Sequence, residues 1–255
     1  MPAIDEYSSA TVPIELFFDS TNLWSATGFV WEDDSGHFYL VTNWHNLSGK
    51  DVFTKTHTSN TAAEPNKIYI WWNLKGQLGL RFAHTEPIRD PTGAPLWFVH
   101  PQHGNDIDVV AMPITPHANA EMYPINKMAN TELMFLVGMD VYVLGYSYGF
   151  GIAGLPVWKR GSIASEPEIL LPNQLFFFLD TASRPGMSGS PVIRRTWGQH
   201  QLKNGALRTQ PGPATDFVGV YSGRIVAKDP LDAQLGVAWP AQYVTEIVAG
   251  ARRDT

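Results

Sequence analysis

The sequence has 255 residues, a formal net charge of −6 and no cysteine. Without cysteine there is no disulfide framework, no thiolate nucleophile and no cysteine-based metal or iron–sulfur site. Charged residues make up 16% of the chain and hydrophobic residues 44%, which argues against a disordered chain or a coiled coil. The acidic balance and the lack of a dense Lys/Arg run argue against a nucleic-acid partner.

The chain shows no sign of a membrane segment or a secretory signal. Its longest apolar stretches, at residues 133–137 and 175–179, are much shorter than the ~20 residues that a membrane-spanning helix needs. The N-terminal residues lack a basic region followed by an apolar core, so we expect no signal peptide, which favours the cytoplasm.

Short segments of alternating or continuous apolar residues follow one another along the chain and predict an all-β protein. In chain order, strands are predicted at residues 14–18, 25–32, 37–42, 67–72, 80–82, 107–114, 140–144, 162–164, 174–180, 190–193, 216–221 and 235–238. Turns are predicted between them at residues 33–36, 90–93 and 211–213. A short helix is expected at residues 44–48, and a terminal helix from Pro240 onward. Many strands with one terminal helix favour a barrel or sandwich.

The middle of the chain changes in composition. Residues 115–130 are polar and irregular and predict a linker between two halves of similar size. We therefore expect two domains, residues 1–118 and residues 119–255.

The strongest chemical feature is the segment from Arg184 to Pro191, in which a serine has glycine two residues before it and one residue after it. Such glycines permit a tight turn whose backbone approaches a ligand closely. The N–H groups of Gly186 and Ser188 would then point at one spot, as an oxyanion hole requires. A serine hydroxyl needs a base to become a good nucleophile.

His45 is the candidate base, because it follows the predicted strand at residues 37–42, where a strand breaks into a turn. Asp106 and Asp108 are the candidate carboxylates. Both lie at the start of the predicted strand at residues 107–114 and would face the same side of it. A buried carboxylate needs a hydrogen-bonded partner, which an imidazole N–H supplies.

Together these segments resemble the trypsin/chymotrypsin-like serine peptidases. The resemblance rests on the order His, Asp, Ser and on three segments, Thr-Asn-Trp-His-Asn, Asp-Val-Val-Ala-Met and Gly-Met-Ser-Gly-Ser-Pro-Val. It is strongest to the cysteine-poor bacterial branch, whose active-site loop ends in Gly-x-Ser-Gly-Ser-Pro, and it extends over about residues 12–250. It implies two packed, antiparallel six-stranded β-barrels with a C-terminal helix, the first carrying His and Asp and the second carrying Ser.

Carried over to this sequence, the resemblance implies that Ser188 is the nucleophile and His45 the general base and acid. Gly186 and Ser188 would supply the oxyanion hole. Either Asp106 or Asp108 could orient His45, and we favour Asp108, because otherwise a second carboxylate would be buried inside the strand. The implied reaction is hydrolysis of peptide bonds in a polypeptide substrate through an acyl-enzyme, with no cofactor.

The resemblance also implies where the substrate binds. Ser222, Gly223 and Arg224 resemble the end of the strand that pairs with the substrate backbone. Ala182 stands six residues before Ser188, where trypsins have the carboxylate that binds a cationic side chain, so a preference for Lys or Arg is not expected. Arg224 would instead favour an acidic side chain.

Two departures from the family pattern lie next to the implied catalytic residues. Trp44 precedes His45 where the family usually has alanine, and this bulky side chain predicts a different local turn. Met187 precedes Ser188 where trypsins have an aspartate that serves zymogen activation, so activation through a new chain end is not expected.

Three other hypotheses compete with the peptidase. Residues 145–149 match the Gly-x-Ser-x-Gly elbow of α/β-hydrolases, which would make Ser147 the nucleophile of an esterase. His100 and His103, with the two aspartates, could bind a metal, although their spacing suits a surface loop equally well. The chain could also be a binding protein with a peptidase fold and an idle site.

Overall fold

The computed structural model describes residues 4–149, 151, 154–171, 174–182, 184–224 and 235–255. Within these residues the chain forms three short α-helices and fifteen strands. The helices are α1 (Glu6–Ala10), α2 (Trp44–Ser48) and α3 (Gln242–Gly250). The strands of the first half are β1 (Thr11–Phe18), β2 (Thr21–Glu32), β3 (Phe38–Thr42), β4 (Lys67–Leu74), β5 (Arg81–Pro87), β6 (Phe98–Val99), β7 (Val110–Ile114) and β8 (Ala120–Glu121). The strands of the second half are β9 (Asp140–Gly145), β10 (Val157–Ile163), β11 (Phe177–Asp180), β12 (Pro191–Gln201), β13 (Leu207–Arg224), β14 (Leu235–Pro240) and β15 (Arg252–Arg253).

The N-terminal sheet is antiparallel and has the order β15-β6-β7-β3-β2-β1-β4-β5, with β8 paired to β4. Three of its nine strands, β6, β8 and β15, have only two residues each, so six longer strands form its body. Period-2 patterning sets the inward face of β1, where Val12, Ile14 and Leu16 are fully buried.

The C-terminal half is a closed six-stranded barrel in the order β10-β11-β14-β13-β12-β9, and pairing of β9 with β10 closes it. Its interior contains a buried apolar cluster that includes Val141, Ile163, Leu179 and Val192. Helix α3 follows the last barrel strand and buries Tyr243, Val244 and Ile247 against the larger core cluster. The expected all-β, chymotrypsin-like architecture with a C-terminal helix is confirmed.

Several local predictions differ from the structure. The turn predicted at residues 211–213 lies inside β13, because β12 and β13 continue as a long hairpin well beyond the barrel core. The outer part of this hairpin is mostly polar and exposed, so the apolar pattern used to predict strands was missing there. The segment predicted as a linker contains β8 and a 3-10 turn at Ile125–Lys127.

The strand predicted from residue 107 begins only at Val110, after a turn at residues 105–106 and a bend at residues 107–108. The expectation that Asp106 and Asp108 face the same side is therefore wrong. None of the helices in the described part of the chain is long and apolar enough to cross a membrane.

Candidate active site

His45 lies in the first turn of α2, directly after β3, and faces Asp108. Its ring Nδ1 lies 2.6 Å from Asp108 Oδ2, and its backbone N–H donates to Asp108 Oδ1 at 2.8 Å. The Asn43 side chain donates to the Asp108 carbonyl at 2.6 Å. These three contacts help to fix the aspartate, which accepts from both the ring and the backbone of the same histidine.

The side chain of Asp108 is fully buried, whereas 22% of the His45 side chain is exposed. Burial of the ring acts to lower the pKa of His45, but the charge of Asp108 and its hydrogen bond outweigh burial and hold that pKa above its ordinary value. The carboxylate therefore stabilises the charged imidazolium, which is what a catalytic base needs after it has taken a proton.

The two candidate carboxylates have different surroundings. Asp106 has a side chain that is 72% exposed and lies 3.3 Å from the Lys55 ammonium. Asp108, two residues later, is the one that contacts His45. The turn and bend at residues 105–108 send the two side chains in different directions, which a strand would not do.

Ser188 lies on a tight turn between β11 and β12, at the boundary between the two halves. Its backbone carbonyl accepts from Thr27 N–H at 2.9 Å and from the Asn46 side chain at 3.4 Å. Both donors belong to the N-terminal half, and Asn46 is the residue after His45. The serine turn is therefore held against the segments that carry the histidine.

The Ser188 hydroxyl donates to the Ser222 carbonyl at 3.3 Å. Within the described residues no hydrogen bond joins this hydroxyl to the ring of His45. The Ser222 hydroxyl in turn donates to Asp108 Oδ2. Ser222 thus connects the serine turn to the His45–Asp108 pair through its carbonyl on one side and its hydroxyl on the other.

The contact of Ser222 with the buried aspartate was not predicted, since Ser222 was assigned only to substrate binding. The only sequence signal for it is a serine at the end of a buried strand, followed by Gly223. Gly223 has a φ of +116°, and a Cβ there would lie 3.5 Å from the Ser188 hydroxyl.

The serine turn leaves two backbone N–H groups, those of Gly186 and Ser188, without a partner in the described chain. The Pro185 carbonyl accepts from Tyr148 N–H at 2.7 Å, and the Met187 carbonyl accepts from Ser190 N–H at 3.1 Å. The Pro185 carbonyl shares a planar peptide unit with Gly186 N–H, and the Met187 carbonyl shares one with Ser188 N–H. In each unit the N–H points in the opposite direction from the carbonyl. Neither N–H donates to another group of the described chain.

Thr27, which is fully buried, holds this turn from the other side of the boundary. Its hydroxyl donates to the Gly186 carbonyl at 2.7 Å and accepts from Tyr146 N–H at 3.1 Å. Its carbonyl accepts from the Thr42 hydroxyl at 2.8 Å. A Cβ on Gly189 would come within 2.1 Å of that carbonyl, so only glycine permits such a close approach.

Two other predicted substrate-binding residues, Ala182 and Arg224, lie in different segments of the chain. Ala182 is exposed, and its carbonyl accepts from the Lys159 ammonium. The backbone of Arg224 pairs with Gly236 at the end of β13, and its side chain lies outside the described residues.

Ser147 lies in a 3-10 turn, Ser147–Gly149, and not at a strand-to-helix elbow. The all-β architecture excludes the α/β-hydrolase hypothesis, which needs a parallel sheet and a helix after the serine. His100 is buried and bonds Glu246 Oε2 at 2.5 Å through Nε2, while its Nδ1 accepts backbone N–H groups. No group of three or more potential metal ligands is found among the described residues.

The arrangement of strands and of the serine turn defines a chymotrypsin-like fold. The chain belongs to the family of trypsin-like peptidase domains, which it matches over residues 26–198, and the resemblance to trypsin-like serine peptidases is thereby confirmed. No curated protein matches the sequence.

Solved structures agree on the fold. The crystal structure of Deg5 has a TM-score of 0.51 and 16% identity, and the match covers 93% of this chain and 86% of that chain. The MamO protease domain from Magnetospirillum magneticum has a TM-score of 0.51 and 16% identity, with coverages of 94% and 96%. The active form of the Rv3671c protease from M. tuberculosis has a TM-score of 0.50 and 18% identity, with coverages of 98% and 83%.

Proposed function

We propose that the protein is a serine endopeptidase in which Ser188 is the nucleophile, His45 the general base and acid, and Asp108 the residue that orients His45. The observation that carries this proposal is the chain of contacts from His45 through Asp108 and Ser222 to Ser188. It joins four residues that are far apart in sequence, and the contact of His45 Nδ1 with Asp108 leaves Nε2 of the ring as the proton acceptor that the chemistry requires.

In the proposed reaction, the Ser188 hydroxyl turns about one side-chain bond from the Ser222 carbonyl toward His45 Nε2. Its oxygen attacks the substrate carbonyl while the proton passes to Nε2. The N–H groups of Gly186 and Ser188 stabilise the oxyanion. His45 then gives its proton to the leaving amine, and a water molecule, deprotonated by the same ring, releases the acyl group from Ser188.

The substrate is a polypeptide, which we place as an extended strand beside the end of β13, at Ser222 and Gly223. The side chain before the scissile bond would approach Ala182, which stands where trypsins have a carboxylate. The Lys159 ammonium donates to the Ala182 carbonyl, and this positive charge disfavours Lys or Arg and favours an acidic side chain. Cleavage of a peptide library that varies this position would test the preference, and selective cleavage after Lys or Arg would contradict it.

A serine-directed phosphonate probe tests the proposal without knowledge of the natural substrate. The wild-type protein should be labelled, and Ser188→Ala should not. Ser147→Ala is the matched control and should be labelled like wild type, since Ser147 lies in a separate turn. Where a peptide substrate is found, Ser188→Ala should lower turnover by about 10⁶-fold.

The alternative is a scaffold that binds a substrate but has an idle site. A folded wild-type protein that the probe never labels would overturn the enzymatic proposal and leave only the fold. Labelling that survives Ser188→Ala would assign the nucleophile elsewhere.

A further inference from the structure

The C-terminal tail crosses from the second half of the molecule to the N-terminal sheet. Helix α3 ends at Gly250, and Ala251 adopts a left-handed conformation with a φ of 44°, which reverses the chain. Arg252 and Arg253 then form β15, which pairs with β6, and Asp254 N–H donates to the Trp97 carbonyl at 3.3 Å. The tail therefore ends the N-terminal sheet as an added edge strand.

This path delivers the Asp254 carboxylate to two buried indoles. Its Oδ2 accepts from Trp44 Nε1 at 2.7 Å and from Trp97 Nε1 at 3.0 Å. The exposed fractions of the two tryptophans are 3% and 1%. A buried indole N–H needs an acceptor, and a carboxylate is a strong one.

Trp44 is the residue directly before His45, at the position where the family usually has alanine. The indole is buried, and its hydrogen bond to Asp254 fixes its orientation. Because Trp44 and His45 are consecutive residues of one helical turn, movement of the indole would move the His45 backbone, whose N–H is bonded to Asp108. The Trp44 indole and the Asp254 side chain therefore act together on the position of His45.

We propose that Asp254 is a positioning residue: through Trp44 it holds the first turn of α2 so that the His45 imidazole stays on Asp108. Its effect on reactivity rests on the proposed peptidase function. The position of His45 itself can be measured independently, in the inactive Ser188→Ala protein.

The test uses four substitutions and the labelling rate with the phosphonate probe. Asp254→Ala removes the acceptor, and Trp44→Phe removes the donor but keeps a ring. Each should slow labelling by about tenfold, the factor that one hydrogen bond of ordinary net strength corresponds to. The double variant should be no slower than Asp254→Ala alone, because that substitution already removes the contact between Trp44 and Asp254. Asp254→Asn keeps an oxygen acceptor and should retain most of the rate.

Glu246→Ala is the matched control. It removes another contact between the C-terminal segment and the N-terminal half, the one from Glu246 to His100, and leaves Asp254 and Trp44 in place. If Asp254 only anchored the C-terminal segment, Glu246→Ala would slow labelling as much as Asp254→Ala does. We expect Glu246→Ala to lose stability but to be labelled at the wild-type rate.

NMR of the Ser188→Ala protein supplies a readout besides activity. Asp254→Ala should shift the Trp44 indole N–H resonance and lower the pKa of His45, because the contact with Asp108 loosens. Asp254→Asn has the same change in charge but should leave the His45 pKa near that of the parent, which separates positioning from simple electrostatics.

Wild-type labelling and His45 titration in Asp254→Ala would overturn the proposal, as would an equal loss in Glu246→Ala. If the wild-type protein itself is not labelled, the peptidase proposal fails. The NMR comparison then still decides whether Asp254 positions His45.

Discussion

Replacing Thr27 by valine removes one buried hydroxyl with little change in side-chain size. Two groups lose their partner at once, the Gly186 carbonyl at 2.7 Å and the Tyr146 N–H at 3.1 Å. The buried Tyr146 N–H without a partner costs about 1–3 kcal/mol and the half-buried Gly186 carbonyl costs less, so the free energy of unfolding should fall by at least about 1–3 kcal/mol. Thr27→Ser keeps the hydroxyl and loses one methyl group, which costs about 1 kcal/mol.

The same substitution should affect the chemistry. Without the Thr27 hydroxyl the half-buried Gly186 carbonyl is no longer held and the serine turn is free to rotate toward solvent, which also displaces the Gly186 N–H from the proposed oxyanion hole. If up to about 3 kcal/mol favours the rotated turn, the competent population falls by about a hundredfold. The phosphonate labelling rate should fall by that order in Thr27→Val, while Thr27→Ser should remain near wild type.

Urea unfolding and labelling kinetics, measured on the same preparations, check both effects. A Thr27→Val protein that is labelled as fast as Thr27→Ser would refute the claim that this hydroxyl holds the turn. Thr27→Ser also guards against a trivial result, because it shows whether the site tolerates any change in packing.

Three further predictions concern titratable groups. Asp108→Asn should lower the labelling rate by about 10⁴-fold, as expected when the orienting carboxylate of a triad is lost, whereas Asp106→Asn should be nearly neutral, and the reverse pattern would reassign the acid. Because the pKa of His45 is raised and its neutral form is the base, the labelling rate should rise with pH through a midpoint above about 6.5. NMR titration in the Ser188→Ala background should show that midpoint moving to lower pH when Asp108 becomes Asn. Burial raises the pKa of Asp216 to about 6, so the folded protein keeps this proton where the unfolded chain has lost it. The contribution of Asp216 to the free energy of unfolding is complete below about pH 4 and is lost as pH rises through about 6, by up to about 3 kcal/mol. Asp216→Asn should remove this pH dependence, which urea unfolding at pH 4 and pH 7 would measure.

Local patterns in the sequence were enough for most of the architecture. Alternation of apolar residues marks strands wherever one face is buried, and it located the body of both halves and the short helix that carries His45. It failed for the outer part of the β12–β13 hairpin, which is mostly polar and exposed. The serine turn was also readable, because its glycines are required by local backbone geometry.

The partners of the candidate catalytic residues were decided by tertiary structure. Asp108 lies 63 residues from His45, Thr27 lies 159 residues from Gly186, and Asp254 lies 210 residues from Trp44. Such contacts depend on strand register, on how the two halves pack and on where the chain returns after α3. Composition and periodicity carry no information about these distances, so the sequence alone determined the residue types of the site, and the packing of the two halves determined which of them meet.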